Sequence, residues 1–159
     1  MTNLLLFGTV LFGGFYDGTG FFVRMGGNPA ILRMSDRTFA EYWQHTDHFM
    51  AERMKIFGPM FLVTLMITIL VNTMNFKSWF FVSLFSAFIV LLIDMTYTFT
   101  VNHPLNRMIQ SWDLEHLPDN VHEIKIKTAH AFYWRSAFMI LTFLLLLFAI
   151  FLKMTGSAD

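Results

Sequence analysis

The chain has 159 residues, of which 55% are hydrophobic and 14% are charged, and its mean hydropathy is +0.53. Soluble domains carry roughly 25% charged residues, so this chain has too few to cover a surface that faces water. The sequence contains no Cys, which excludes disulfides, Cys-ligated metal centres and thiol catalysis. Eleven basic residues balance eleven acidic ones, so net charge gives no support for a nucleic-acid partner.

The apolar residues form four long runs, at residues 3–23, 56–72, 78–101 and 129–152. Because about 20 apolar residues cross a hydrocarbon core of roughly 30 Å, each run predicts a transmembrane helix. The predicted fold class is therefore all-α. We expect residues 1–159 to form a single integral membrane domain, a four-helix transmembrane bundle in contact with the lipid bilayer.

The two long connections, at residues 24–55 and 103–128, hold most of the basic residues. An even number of crossings separates them, so both lie on the same side of the membrane. The basic residues on that side are Arg24, Arg33, Arg37, Arg53, Lys55, Arg107, Lys125 and Lys127. The opposite side has only Lys77 and Lys153. The positive-inside rule then predicts a multi-pass protein of the cell membrane (inner or plasma) with both long connections in the cytoplasm.

The first long connection contains a predicted helix of its own, at residues 36–55. Ser35 is suited to cap its start, and Gly58-Pro59 marks an interruption near the start of the second span. One side of this helix is apolar: Phe39, Trp43, Met50 and Met54. The other side is polar: Glu41, His45, His48 and Glu52. We expect this amphipathic helix to lie on the membrane interface or on the bundle.

Asp17, Asp94 and Arg135 lie inside predicted spans, where an ionisable group costs several kcal/mol unless it is paired or functional. Counted from the ends of their spans at 1.5 Å per residue, all three lie roughly 10–14 Å below the same membrane face. One interpretation is that Asp94 and Arg135 neutralise each other and fix the packing of the third and fourth helices. A second interpretation, compatible with the first, is a polar cavity that takes a largely apolar ligand.

Glu41, His45 and His48 share one helix face, and such carboxylate and imidazole groups hold metals in helical bundles. His103 could complete a site for iron, copper or zinc. The alternative is a solvated polar face with ordinary pairs four residues apart. The cofactor prediction therefore stays open between a metal, iron or copper, and none.

A short pattern after the third span is similar to a known family. It consists of Asn102-His-Pro-Leu-Asn106, a Trp112-Asp113 pair, then His130 and Arg135. With Gly-Gly-Phe-Tyr16 and Asn28-Pro29 in the first half, the chain resembles the anthrone oxygenase-like family of small membrane proteins over nearly its whole length. The resemblance implies a four-helix membrane protein that inserts oxygen into electron-rich polycyclic anthrones without an obvious organic cofactor.

The chemistry of the residues is compatible with that implication. Removal of a proton from an acidic, phenol-like carbon would begin the reaction, and His130 is the candidate general base. Arg135 would stabilise the developing oxyanion, with Asp94 as the third candidate catalytic residue. The candidate substrate-binding residues are Asp17, Tyr97, Asn102, Asn106, Trp112 and Tyr133.

The sequence therefore predicts a membrane oxygenase or oxidoreductase. Its substrate would be an apolar, anthrone- or quinone-like small molecule, and its Glu/His cluster would make the reaction metal-assisted if a metal is bound. The alternative is a non-enzymatic small subunit that packs against a larger membrane complex. A homo-oligomer is equally open.

Overall fold

The structure, a computed structural model, describes residues 2–156. Within that range it is helical and contains no strand. Four helical units are long and apolar enough to cross a membrane: Asn3–Arg33, Asp36–Val71, Trp79–Gln110 and Val121–Met154. The predicted all-α class with four membrane-length helices is confirmed.

The first and third units each consist of two α-helices joined by a π-helical segment. Their parts are α1 (Thr2–Phe22), Val23–Gly27 and α2 (Asn28–Arg33), and α4 (Trp79–Tyr97), Thr98–Asn102 and α5 (His103–Gln110). Both α2 and α5 have a proline near their start, at Pro29 and Pro104. Proline has no N–H for the carbonyl four residues earlier. The wider turn instead lets the preceding N–H reach back five residues, from Asn28 to Val23 and from His103 to Thr98.

The second unit is the single helix α3 (Asp36–Val71), and the fourth is α6 (Val121–Met154). The separate amphipathic helix predicted at residues 36–55 is not found, because that segment is the first part of α3. Pro59 lies inside α3 without ending it, as is tolerated in membrane helices where neighbouring groups satisfy the freed backbone. Ser35 caps α3 as predicted, since its Oγ accepts a hydrogen bond from the Thr38 N–H at 3.2 Å.

The long connections predicted from the sequence are therefore mostly helix. α2, α5 and the first turns of α3 and α6 extend the bundle beyond the predicted spans on one side of the molecule. A helix of 36 residues such as α3 is about 54 Å long, well above the roughly 30 Å of a hydrocarbon core. What remains irregular on this side is residues 34–35 and 111–120.

Two hydrophobic cores hold these helices together. The first core lies within the spans and includes Leu6, Tyr16, Phe61, Leu65, Leu84, Leu91 and Leu146. The second core joins the helical extensions and consists of Ile31, Phe39, Trp43, Leu105, Ile109, Val121, Ile124 and Ala131. Lys125, which is 3% exposed, adds a polar connection beside the second core. Its Nζ donates to Asp36 Oδ1 at 2.6 Å and to the Met34 carbonyl at 2.9 Å, which joins α6 to the start of α3.

α1 approaches α6 closely at Gly20. A Cβ built on Gly20 would lie 2.9 Å from the Cβ of Met139 and 3.5 Å from the Ser136 backbone. The Met139 Cβ cannot move without its helix, so the contact requires a residue with no side chain. At Gly18, two residues away on the same helix, an added Cβ would meet nothing within 4 Å.

Gly20→Ala should therefore lower the free energy of unfolding by about 1–3 kcal/mol, the usual cost of overpacking. Gly18→Ala is the matched control, and we expect it to be neutral or slightly stabilising, because alanine has the higher helix propensity. Reversible unfolding in mixed micelles, followed by circular dichroism, measures both variants. Equal stability of the two variants would contradict this account of α1–α6 packing.

Candidate functional site

A cavity of about 1370 Å³ lies among the four helical units, in the half of the bundle that the extensions prolong. All four units contribute to its walls. Most of the lining is apolar and includes Phe15, Phe22, Met50, Met54, Leu62, Met95, Phe132 and Met139. We call three groups of polar side chains at the cavity the floor, the polar wall and the mouth. Other polar residues line it outside these groups, among them Asn28, Lys55, Arg107 and Gln110. Such a combination of apolar walls with a few placed polar groups is typical of small-molecule sites.

The floor is formed by Tyr16, Asp94 and Arg135. The Tyr16 hydroxyl donates to Asp94 Oδ2 at 2.7 Å, and Arg135 Nη2 donates to the Tyr16 hydroxyl at 3.3 Å. Arg135 Nε and Asp94 Oδ1 form an ion pair at 3.5 Å. The structure thus joins Asp94 and Arg135, as the matching depths predicted. Arg135 and Tyr16 line the cavity, whereas Asp94 is 1% exposed and lies behind them.

Asp17 lies next to the floor but does not line the cavity. Its side chain is fully buried within electrostatic range of Asp94 and Arg135. Neither carboxylate oxygen has a hydrogen-bond partner within residues 2–156. The predicted role of Asp17 in substrate binding is therefore not supported by its position, because its side chain does not line the cavity.

The polar wall is formed by Thr98, Asn102 and Asn106, which follow Asp94 along α4, the π-helical segment and α5 at intervals of four residues. The side chain of Asn106 is used by the protein itself. Its Oδ1 accepts from Trp43 Nε1 at 3.1 Å, and its Nδ2 donates to Asp47. Asn102 is fully buried, and neither atom of its amide has a partner among the described residues.

The mouth contains Asp47 and His103, and both side chains line the cavity. Amide donors on α5 fix the Asp47 carboxylate, since Gln110 Nε2 donates to its Oδ2 at 3.3 Å and Asn106 donates to its Oδ1. Asp47 was not predicted from the sequence. A signal was present, because helical geometry places Asp47 within about 60° of Trp43, Met50 and Met54 on the otherwise apolar face of α3.

His130 and Tyr133 do not line the cavity. Helical geometry puts His130 about 140° around α6 from Arg135, and its side chain is exposed. Its predicted role as general base is therefore not supported. Tyr133 is also exposed, and its hydroxyl accepts from Arg24 Nη2 at 2.7 Å, with the Arg24 guanidinium 3.9 Å from the ring centre.

Tyr97 and Trp112 also lie outside the cavity lining, although the sequence analysis proposed both for substrate binding. Both pack against the second core. The Tyr97 ring contacts Phe138 at a centroid distance of 5.8 Å. Trp112 belongs to the loop at residues 111–120, and its carbonyl accepts from Gln44 Nε2 at 3.0 Å. Their positions indicate packing roles.

The structure does not gather the predicted metal ligands into one site. Glu41, His45 and His48 are exposed on the outer face of α3, and His103 lies at the mouth of the cavity instead. Within residues 2–156, no group of three or more His, Asp or Glu side chains is placed to hold a metal ion. A shared face of one helix supplies ligands from one side only, and no second helix here supplies the others.

The loop at residues 111–120 closes the side of the molecule near the mouth. The Asp113 carboxylate accepts from the Glu115 N–H at 2.9 Å and pairs with His116 Nδ1 at 3.1 Å. The Glu115 N–H, with a smaller effect from His116, holds the pKa of Asp113 below its usual range. Arg37 pairs with Glu115 at 2.9 Å and ties the loop to α3. These contacts are solvent-exposed, so they contribute little to stability.

No protein-family model, curated protein or solved structure matches this chain. The likeness to the anthrone oxygenase-like family therefore remains a prediction from the motifs.

Arg135→Gln should lower the free energy of unfolding by about 3–5 kcal/mol, because it leaves the buried Asp94 without its counter-charge. Adding Asp94→Asn should recover much of that loss, since a neutral pair replaces a lone charge. Arg24→Gln is the matched control, and we expect a loss of no more than about 1 kcal/mol at this exposed contact. Unfolding in mixed micelles measures these three variants and Asp94→Asn alone. Additive losses for the two floor substitutions would contradict the pairing.

Proposed function

We propose that this chain is an integral membrane oxygenase that acts on an apolar, anthrone- or quinone-like aromatic molecule bound in the cavity. The observation that carries the proposal is the arrangement of the lining: extensive apolar walls, one polar wall, and an arginine held at the floor. A flat aromatic ring system buries well against the apolar walls. Its oxygen atoms would face the polar wall and the floor.

The proposed reaction converts an acidic CH₂ group of an electron-rich anthrone into a carbonyl, with O₂ as the oxidant. A base removes one proton, and the resulting carbanion passes an electron to O₂. Recombination of the two radicals gives a peroxide anion, which takes the proton back from the base. The resulting hydroperoxide loses water to leave the carbonyl. The carbon loses four electrons and O₂ gains four, so that one oxygen atom ends in the product and the other in water.

Asp47 is the proton acceptor that the geometry favours. Its carboxylate lines the cavity, is fixed by two amide donors, and has no ion-pair partner among the described residues. His130, the base proposed from the sequence, lies on the outside of α6. A base must come within hydrogen-bond reach of the proton that it removes, and the position of Asp47 in the cavity lining supports this role.

Arg135 supplies the second requirement, which is stabilisation of the oxyanion that develops as the proton leaves. A donor of this kind is most effective when it is preorganised in a site that excludes water. Tyr16 and Asp94 hold the guanidinium in place from behind. Asp94 thus acts as a positioning residue in this proposal, because it does not line the cavity.

The distribution of basic residues supports an orientation in the cell membrane with the helical extensions on the cytoplasmic side. In that orientation the cavity lies at membrane depth and its mouth lies near the cytoplasmic interface. A membrane-soluble substrate and O₂, which both partition into the hydrocarbon phase, would reach it without crossing water.

Asp47→Asn should reduce turnover of 1,8-dihydroxy-9-anthrone by about 10²- to 10⁴-fold, the usual contribution of a general base. His130→Ala is the control, and we expect it to keep wild-type turnover. Both are measured in reconstituted vesicles under air, with product absorbance and O₂ consumption recorded together. Protein-free vesicles correct for the spontaneous oxidation of the substrate.

Three results would count against the proposal. Wild-type protein with no turnover above the protein-free rate would overturn the oxygenase assignment and favour the non-enzymatic subunit. Full activity in Asp47→Asn together with loss in His130→Ala would overturn the assignment of the proton acceptor. A loss in both variants would also contradict it, because His130 does not line the cavity.

A further inference from the structure

The two π-helical segments each bring one asparagine to the cavity. Asn102 is the last residue of the second segment, and Asn28 follows the first segment directly. Both line the cavity, and their exposed fractions are 0% and 5%. π-Helical turns occur frequently at functional sites. Continuity of the helices explains the two π-helical segments, but it does not explain why each segment has a cavity-lining asparagine at its end.

The amide of Asn28 has a defined orientation. Its Nδ2 donates to the Ala129 carbonyl on α6 at 2.8 Å, and only the nitrogen of an amide can make that bond. Its oxygen is therefore the atom left over, and this buried oxygen has no partner in the described part of the chain. Asn28 thus offers the cavity one hydrogen-bond acceptor.

Asn102 and Thr98 also have buried polar atoms without a partner. Both amide atoms of Asn102 and the hydroxyl of Thr98 are buried without a partner among residues 2–156, and both residues line the cavity. Together the three side chains offer acceptors and donors and carry no charge. An apolar residue at these positions would avoid the cost of desolvating unpaired polar atoms. Packing alone therefore does not account for them.

The chemistry of this set selects a class of ligand. A metal or organic cation would face the Asn102 NH₂ group and the positive charge of Arg135, which lines the same cavity. An anion would face the acceptor oxygens of Asn28 and Asn102. A neutral molecule that carries both a hydroxyl and a carbonyl satisfies donors and acceptors at once.

We propose that Asn28, Thr98 and Asn102 form a neutral hydrogen-bonding receptor for the hydroxyl and carbonyl oxygens of a membrane-soluble ligand. This deepens the proposed function, since it uses the same cavity and names the groups that give specificity. It concerns binding and not turnover. The receptor distinguishes an oxygenated ring system from a bare hydrocarbon of the same shape, which the apolar walls alone do not.

The test compares two redox-stable probes of similar shape, 1,8-dihydroxyanthraquinone and anthracene. Their affinities for the purified full chain in nanodiscs are measured by quenching of tryptophan fluorescence, since Trp43 lines the cavity. Asn102→Leu should weaken binding of the oxygenated probe by about 10- to 100-fold, as expected for the loss of one or two buried hydrogen bonds. Anthracene binding should stay at the wild-type level.

Thr98→Val provides a second variant of nearly the same shape, which removes one hydroxyl and should weaken only the oxygenated probe, by about 5-fold. Asn120→Leu is the matched control. Asn120 is exposed in the loop before α6 and makes no side-chain cap bond, so we expect wild-type affinities for both probes.

Unchanged affinity of Asn102→Leu for the oxygenated probe would overturn the receptor. The receptor would also be overturned if Asn102→Leu lost affinity for both probes equally and Thr98→Val kept wild-type affinity for both. If wild type lacks turnover but the selective loss is observed, the receptor stands and the oxygenase assignment falls. If turnover is present, and Asn102→Leu loses affinity for both probes equally while Thr98→Val is unchanged, the receptor falls and the oxygenase assignment stands.

Discussion

The ion pair between Arg135 and Asp94, bridged by the Tyr16 hydroxyl, is the interaction on which the rest of the bundle depends. It connects α1, α4 and α6 in a region where an isolated charge costs several kcal/mol. On one side of it the first core closes with large apolar side chains. On the other side the helices enclose the cavity, so the floor is also the boundary between the packed half and the open half.

The polar wall depends on the π-helical segment between α4 and α5. In an α-helix, a step of four residues turns 40° past a full circle, so a stripe with that spacing would drift around the helix. A π-helical turn holds more residues than an α-helical turn, which offsets this drift. Thr98, Asn102 and Asn106 consequently all line one cavity. The same π-helical segment accommodates Pro104. One feature therefore keeps the helical unit continuous and keeps the polar side chains on the cavity side.

Counting residues along the sequence was sufficient to predict how deep a residue lies in its span. It was not sufficient to predict which way the side chain points around the helix. The lengths of the apolar runs predicted four membrane helices, and matching depths predicted the contact between Asp94 and Arg135. His130, Tyr97 and Tyr133 were also predicted as site residues, although none of these lines the cavity. Whether a residue lines the cavity depends on the rotation of its helix about the helix axis, and packing between helices sets that rotation. Continuity of α3 through Pro59 was likewise unpredictable, because it depends on its neighbours.

Asn102 and Asn106 differ in whether the protein itself uses their side-chain amides. They have the same side chain, lie one turn apart and line the same cavity. Both amide atoms of Asn106 are bonded within the protein, whereas those of Asn102 have no partner in the described chain. A structural role explains Asn106, since it links α3 to α5. It does not explain Asn102, where leucine would pack without an unpaired amide, and such local departures from optimal packing are expected at functional sites.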